Sequence, residues 1–173
     1  MEKMTKNVVL IGERRIKMEL NIAIRHALDG NAILFLGAGF SIGGTNKLGE
    51  ILPTASNLSF QMCNELGIER SDDLALISER FIDDPMVGKG IDALISFLKL
   101  RLICTASTPV QDTIIGLPWL RIYTTNYDNI IEISSKKQNI ERETITATIP
   151  KYSIDNIESS IIHMNGNIIK ITP

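Results

Sequence analysis

The sequence predicts an α/β fold, with a doubly wound parallel sheet that carries a helical insertion. Apolar runs typical of buried strands alternate with amphipathic stretches at helical spacing. A Gly-x-Gly turn, at Gly37 and Gly39, directly follows one of the apolar runs. Further helical stretches follow one another between residues 54 and 105. We expect them to form an inserted cap over the ligand site that such a sheet would carry.

Length and composition fit one globular domain. The chain has 173 residues, 44% hydrophobic and 22% charged, and a formal net charge of -2. Because no Lys/Arg cluster is interleaved with aromatics, nucleic acid is not expected as the direct ligand. The apolar run from Val8 to Ile11 is too short for a signal peptide, and no stretch approaches a membrane span. We therefore expect a cytoplasmic protein without a membrane partner.

The two cysteines, Cys63 and Cys104, lie far apart within apolar helical patterns. This placement predicts two buried thiols rather than a disulfide or a metal site.

Helices are predicted where a capping residue precedes an apolar stripe and a glycine follows it. One is expected from Arg14 to Leu28, ended by Gly30. The others are expected to open at Pro53-Thr54 and close at Gly67, to open at Ser71 with Asp72 and Asp73, to run from Ile91 to Ile103, and to open at Thr108-Pro109 and stop at Gly116 with Pro118. Strands are predicted at the run that begins with Ile33, from Leu120 to Thr124, from Thr144 to Ile149 and from Ser160 to Met164.

The run from Ile33 to Ser41 is the first candidate site. A buried strand that feeds a glycine turn can bring bare backbone against a pyrophosphate, which a Cβ would hold away. The spacing differs from G-x-G-x-x-G, since Ile42 stands where the third glycine would fall. A tight turn without a ligand is the alternative interpretation.

The second candidate is the run T-T-N-Y-D at residues 124–128, placed at the carboxyl end of a predicted strand, where open α/β sheets bind ligands. Asn126 offers a donor and an acceptor, and Asp128 offers an acceptor, so together they could orient a polar ligand. Alternatively, the two residues cap the helix that starts near Asn129.

The third candidate is the run I-I-H-M-N-G at residues 161–166. His163 is suited by its ordinary pKa to act as a general base at neutral pH. His26, the other histidine, is expected at the surface of its amphipathic helix. The alternative is that His163 is a structural histidine at a strand end.

Taken in order, four motifs resemble the sirtuin-like NAD-hydrolase domains of bacterial antiviral defence systems. They are G-A-G-F-S at 37–41, L-P-T at 52–54, L-R-I-Y-T-T-N-Y-D-N-I-I-E at 120–132 and I-I-H-M-N-G at 161–166. The resemblance covers about residues 31 to 170. It implies a Rossmann-like domain that binds NAD as its substrate, needs no metal and breaks the nicotinamide–ribose bond.

The same resemblance implies roles for individual residues. Asn126 matches the catalytic asparagine that positions the ribose and the attacking water, and Asp128 the acid that contacts the nicotinamide carboxamide. The candidate NAD-binding residues are Gly37, Ala38, Gly39, Phe40, Ser41, Thr125, Asp128 and Asn165, with the first three and Ser41 in the phosphate loop.

The chain departs from the family at the general base. Sirtuins place a histidine directly before the glycine, but here that position is Asn165, which cannot act as a base. His163, two positions earlier, matches relatives with H-x-H-G or H-x-N-G, and residues two apart on a strand face one side. We therefore expect His163 to be the catalytic base.

Two other functions stay open. A non-catalytic subunit that binds NAD, ADP-ribose or a similar nucleotide is favoured by the H-x-N-G departure. A protein deacylase shares the NAD chemistry, but the usual deacylase has a four-cysteine zinc module that two scattered cysteines cannot build.

The chain stops at Pro173, soon after the H-x-N-G segment, whereas related domains run further. We expect either a fragment or a reduced domain. In the reduced domain, self-association or a sensor or regulatory subunit would cover an open sheet edge. The resemblance also implies that a trigger activates the enzyme.

Overall fold

The structure, a computed structural model, describes residues 8–11, 14–17, 20–146 and 159–171. This part of the chain forms a Rossmann-like α/β fold in which helices flank a parallel sheet. The strands are β1 Val8–Ile11, β2 Arg14–Lys17, β3 Ile33–Leu36, β4 Thr45–Asn46, β5 Cys104–Ala106, β6 Arg121–Thr124, β7 Thr144–Thr146 and β8 Ser160–His163. The helices are α1 Leu20–Leu28, α2 Ala55–Leu66, α3 Leu74–Asp83, α4 Ile91–Leu102, α5 Pro109–Ile115 and α6 Ile130–Lys137, with a 3₁₀ helix at Ala38–Ser41.

The central sheet has four strands in the order β3-β6-β8-β7, and every neighbouring pair is parallel. Leu36 pairs with Thr124, which in turn pairs with His163, and His163 also pairs with Thr146. The last residues of all four strands therefore stand side by side. Because of this register, the loops that follow the strands leave the sheet at one edge.

The main core lies between the sheet and helices α5 and α6. Ile122 of β6 and Ile161 of β8 are both fully buried there. They pack with Ile115 of α5 and with Ile130 and Ile131 of α6. This packing fixes α6, and therefore the loop before it, against the end of β6.

The predicted insertion is confirmed. Helices α2, α3 and α4, which we call the insertion, follow one another between β4 and β5 and have a hydrophobic cluster of their own. Met62, Ile77 and Phe81 are the most deeply buried large side chains of that cluster. The ring centroids of Phe81 and Phe97 lie 5.4 Å apart. The insertion is therefore packed around its own apolar centre.

The helix ends form as capping chemistry predicts. Thr54 accepts a hydrogen bond from the backbone of Asn57 at the start of α2, and Gly67 ends that helix at φ 68°, where glycine has no steric penalty. Thr108 and Gln111 form a capping box at the start of α5, with proline at the first helical position.

The prediction of one helix from Arg14 to Leu28 is wrong over its first part. Arg14–Lys17 is strand β2, which pairs with β1 in an antiparallel hairpin, and α1 begins at Leu20. From Arg14 to Lys17 only Ile16 is apolar, so this segment adds no helical stripe, and β1 offers it a strand partner. The stripe itself stays exposed: Leu20, Ile24 and Leu28 show 56%, 48% and 56% of their surface.

The remaining predicted elements appear with shifted ends. The strand predicted from Leu120 to Thr124 begins one residue later, and the strand predicted from Ser160 to Met164 ends at His163. Of the strand predicted from Thr144 to Ile149, the part at 144–146 is present, and residues 147–149 lie outside the described residues. Among the described residues, no helix is both long and apolar enough to cross a bilayer.

Candidate functional site

The three candidate motifs meet at one edge of the sheet. The loops after β3, β6 and β8, at residues 37–44, 125–129 and 164–167, all leave the carboxyl ends of the strands. We call this place the site edge. It is the position where open parallel sheets bind ligands.

A hydrogen-bonded chain of three side chains joins the first two loops. Asn126 donates from Nδ2 to the main-chain oxygen of Gly37 at 3.0 Å and to Oγ of Ser41 at 2.8 Å. Ser41 in turn donates from Oγ to Oδ2 of Asp128 at 2.6 Å. All three side chains are buried. Two motifs that stand 85 residues apart in sequence, measured from Ser41 to Asn126, are thus one polar unit.

Asp128 serves the helix and the site at once. Its second oxygen, Oδ1, accepts a hydrogen bond from the backbone of Ile130 at 3.1 Å, which holds the start of α6. Burial raises the pKa of the Asp128 carboxyl, against the hydrogen bonds from Ser41 and Ile130 that lower it. The capping interpretation therefore fits the contact of Asp128 with Ile130, although the N-cap residue itself, Asn129, makes no side-chain cap. It does not hold for Asn126, whose side-chain amide donates to the loop after β3.

The glycine turn exposes its backbone at the site edge. Gly37 is extended, with φ −113° and ψ −174°, and the 3₁₀ helix follows it at once. Gly37, Ala38 and Gly39 are all exposed. A Cβ built on Gly39 would meet no atom within 4 Å, and neither glycine has a left-handed φ. Backbone conformation and packing within the described chain therefore give no reason for glycine at position 39.

Phe40 and Gln111 anchor this turn from behind. Phe40 is half-buried and packs against the main core. Gln111 donates from Nε2 to the main-chain oxygens of Phe40 and Ile42, at 2.6 and 3.2 Å. Phe40 thus fixes the turn to the core. No sequence pattern indicated that Gln111 also holds this turn, because its place in the capping box of α5 already accounts for a glutamine there.

Thr125 and Asn165 complete the site edge. The backbone N–H of Thr125 donates to the main-chain oxygen of Leu36 at 3.2 Å, and Asn165 donates from Nδ2 to the main-chain oxygen of Thr125 at 3.2 Å. Thr125 is half-buried and Asn165 is exposed. The asparagine before Gly166 therefore lies at the open surface of the site edge.

His163 lies beneath the site edge. Its side chain is 0% exposed. Ring atom Nδ1 is 3.0 Å from the main-chain oxygen of Asn126, and Nε2 is 2.8 Å from Oε1 of Glu132. Burial on its own lowers the pKa of the imidazole, but the hydrogen bond and charge of Glu132 outweigh it and the pKa is raised. The ring touches Asn126 from below. His26 is exposed, as expected.

Glu132 and Asn167 are polar partners of His163 that the sequence reasoning missed. Asn167 Nδ2 lies 3.0 Å from Nε2 of His163 and also donates to Oε1 of Glu132 at 2.9 Å. Thr144 donates to the same oxygen at 3.2 Å. The signal in the sequence was an acidic residue in the first turn of the helix after T-T-N-Y-D. An acidic residue at that position is also typical of a helix N-terminus, so it did not indicate a contact with His163, 31 residues away.

An apolar cavity of about 420 Å³ borders the loop after β6. Tyr127 forms one side of it, and residues of the insertion form another. The lining residues are Leu58, Leu74, Ala75, Ser78, Leu98, Leu102, Tyr127, Ile168 and Ile171. The insertion thus lies beside the site edge.

Both cysteines are buried, as predicted, and lie in different cores: Cys63 in the insertion and Cys104 in the main core. The helical placement is wrong for Cys104, which begins strand β5. Burial raises the pKa of the Cys104 thiol to about 11. Within the described residues, no group of three or more His, Cys, Asp and Glu side chains is arranged to hold a metal ion.

Comparison of the chain with models of known protein families finds no match, and comparison with curated protein sequences finds none either.

Proposed function

We propose that this protein is an NAD glycohydrolase that breaks the nicotinamide–ribose bond and depletes NAD in antiviral defence. The proposal begins from the resemblance of its four motifs to sirtuin-like NAD-hydrolase domains. The observation that carries it furthest is the buried hydrogen-bonded chain through Asn126, Ser41 and Asp128, next to an exposed glycine turn. Asn126, which we expect to be catalytic, thus forms one unit with Ser41 and Asp128, which we expect to bind NAD.

The glycine turn supports the phosphate end of this proposal. Nothing in the described chain requires glycine at position 39, where a Cβ would project into open space. The remaining physical reason for glycine is a ligand that approaches the backbone closely. A pyrophosphate is such a ligand. The open space beside Gly39 is where we propose the NAD phosphates lie.

The chemistry needs acceptor groups near the ribose. When the bond between C1′ and the nicotinamide nitrogen breaks, the electron pair leaves with nicotinamide and positive charge builds on the ribose ring. A water oxygen then bonds to C1′, and the proton it loses passes to solvent. The side-chain carbonyl dipole of Asn126 and the carboxylate of Asp128 favour that charge. In this proposal Asn126 orients the ribose and the water.

In this proposal His163 does not contact NAD and acts through Asn126. The resemblance expects it to be the general base, but both of its ring nitrogens are already in contact, with Asn126 and with Glu132. A base has to reach the proton that it removes. We therefore propose that His163 supports Asn126 from below.

The test is nicotinamide release by Asn126→Ala, with Asn46→Ala as a matched control. Both asparagines are buried, but Asn46 caps its own turn by accepting from the backbone of Leu48 and Glu50. We expect Asn126→Ala to lose release while Asn46→Ala keeps it per folded molecule. Equal release by Asn126→Ala and wild type would refute the proposal.

A second candidate function is a subunit that binds NAD, ADP-ribose or another nucleotide without cleaving it. The buried ring of His163, and Asn165 in place of the family's histidine, favour this candidate. Calorimetry with ADP-ribose and NAD separates the two. Binding without nicotinamide release, under every activating condition tried, would select the binding subunit.

We propose further that the protein works in the cytoplasm in a homo-oligomer or in a complex with a sensor or regulatory subunit. Edge strand β3 exposes Ile33 and Phe35 by 54% and 61%, and Ile33 lines one cavity together with Ile24 of the exposed α1 stripe. Apolar patches of this kind mark interaction surfaces. Mass measurement of the purified protein, alone and with proteins encoded beside it, tests this. A stable, active monomer would contradict it.

A further inference from the structure

A buried chain of contacts runs from helix α6 to the main chain of Asn126. Glu132 Oε1 lies 2.8 Å from Nε2 of His163, and Nδ1 of the same ring lies 3.0 Å from the main-chain oxygen of Asn126. On the other side, the N–H of Asn126 donates to Oγ1 of Thr124 at 3.0 Å. The backbone of Asn126 is therefore held at its N–H and at its carbonyl.

The protons of this chain follow from the contacts. A carbonyl oxygen only accepts, so Nδ1 of His163 has to carry a hydrogen. Two acceptors do not approach to 2.8 Å without a proton between them, so Nε2 and the Glu132 carboxyl share one. The pair is thus either an imidazolium beside a carboxylate or a neutral imidazole beside a protonated carboxylic acid.

Asn167 contacts both members of this pair. Its Oδ1 accepts from the backbone of Ile169 at 2.9 Å, so its Nδ2 is the atom that faces Glu132. With Thr144 as a further donor, Oε1 of Glu132 accepts two hydrogen bonds from groups other than the ring. Hydrogen bonds to a carboxylate favour its ionised form. These donors favour the shared proton on the ring, whereas Nδ2 of Asn167, which lies 3.0 Å from Nε2 of His163, favours a lone pair there.

We infer that Glu132 is a positioning residue: through the His163 ring it fixes the main-chain carbonyl of Asn126, and with it the side-chain amide that contacts Gly37 and Ser41. The reaction that it serves rests on the proposed function. We call the contacts from Glu132 through His163 to the main chain of Asn126 the clamp. The clamp does not rest on the proposed function, since these residues are in contact without a ligand. A catalytic asparagine held on both sides of its backbone keeps its amide aligned before the substrate arrives.

The charges around the ring set its pH dependence. Glu132 of α6 and Asp128 of the loop after β6 both favour the protonated ring, and their influence outweighs its burial. When the pH rises through the raised pKa of His163, the Nε2 lone pair faces the carboxylate and the hydrogen bond between the ring and Glu132 is lost, so Glu132 no longer holds the ring against Asn126. In Glu132→Gln the amide donates to the neutral ring, and the clamp no longer depends on that proton.

The experiment compares Glu132→Ala and Glu132→Gln with Glu141→Gln, a matched change of an exposed glutamate nearby. Nicotinamide release from NAD is measured per folded molecule as a function of pH. We expect Glu132→Ala to lower kcat about tenfold or more with a smaller change in KM. Glu132→Gln should keep most of the wild-type kcat. It should not show the fall in kcat at alkaline pH that wild type shows.

A second measurement keeps the inference separate from the proposed function. The chain has two histidines, so ring ¹⁵N spectra assigned with His26→Gln report the titration of His163, and amide spectra report the side chain of Asn126. We expect Glu132→Gln to lower the pKa of His163 and Glu132→Ala to shift the Asn126 amide resonances. Unchanged His163 and Asn126 signals in these variants would overturn the inference, even if Glu132→Ala folds poorly. Shifted signals with no nicotinamide release by wild type would uphold the clamp and contradict the glycohydrolase.

Discussion

The insertion and the site edge bury side chains of opposite kinds. The insertion buries an apolar cluster in which Met62, Cys63, Ile77 and Phe81 show 1% of their surface or less. The site edge and the strand ends beneath it bury polar groups instead, each with a hydrogen-bond partner. These residues are Ser41, Thr124, Asn126, Asp128, Asn129, His163 and Asn167.

The difference indicates what each region supplies. Burial of apolar surface stabilises a fold directly. Buried polar groups contribute little net stability even when they are paired, and they are costly when a partner is lost. A region that buries seven polar residues gains a defined geometry rather than much stability. We expect substitutions in the insertion to change stability and substitutions at the site edge to change activity.

The largest predicted effect on stability lies in the insertion. Phe81→Ala leaves a cavity beside Phe97 and should lower the free energy of unfolding by about 3–5 kcal/mol. Chemical denaturation measures this. Nicotinamide release per folded molecule should stay near the wild-type value. If that release collapsed in a folded Phe81→Ala protein, the two regions would not be separable in this way.

Two buried serines give the sharpest comparison. Ser59 of the insertion donates to one main-chain oxygen, that of Ser71, whereas Ser41 joins Asn126 to Asp128. Ser41→Ala leaves a buried carboxylate oxygen without its donor, so we expect a loss of about 1–3 kcal/mol and a fall in nicotinamide release of roughly 10- to 100-fold.

The matched change Ser59→Ala should cost about 0.5–1.5 kcal/mol and leave release per folded molecule unchanged. Thermal unfolding and a nicotinamide assay on both variants check the pair. Equal losses of activity in the two variants would contradict a special role for the Ser41 hydroxyl.

A smaller effect is predicted at Gly39, with stability and activity moving in opposite directions. Because the backbone there is not left-handed and a Cβ meets nothing, Gly39→Ala should raise stability by about 0.4–1 kcal/mol. The methyl group should also raise the KM for NAD, since it occupies the space proposed for phosphate. An unchanged KM, measured by steady-state kinetics, would contradict the placement of the NAD phosphates at this turn.

The smallest effect concerns pH. The folded-state pKa of His163 is raised above 6.5, so its contribution to stability is fully present below that pH and is lost as the pH rises through the folded pKa. Melting temperatures between neutral and alkaline pH should therefore fall more for wild type than for Glu132→Gln. Parallel curves would show that the Glu132 carboxyl does not hold the ring proton.

The sequence was sufficient where local chemistry decides the structure. Thr54, Gly67 and Thr108 ended or began helices as their capping behaviour requires, and the apolar runs formed the parallel strands. It was insufficient at the hairpin of β1 and β2, because a short segment with one apolar residue carries no periodicity. Pairing with a neighbouring strand decided that segment.

Site residues divide in the same way. Asn126 and Ser41 could be proposed because each follows a strand, and parallel strands end at one edge. The contact of Glu132 with His163 could not, because it depends on how α6 packs against β8, and no local pattern encodes that packing. For the same reason the sequence placed the His163 ring in the pocket, whereas the structure shows it beneath Asn126.

The most direct test of this account is nicotinamide release from NAD by wild type, Asn126→Ala and Asn46→Ala at equal folded concentration, with and without candidate partner proteins. The account predicts release by wild type and by Asn46→Ala, and none above background by Asn126→Ala. Release by Asn126→Ala at the wild-type rate would contradict it.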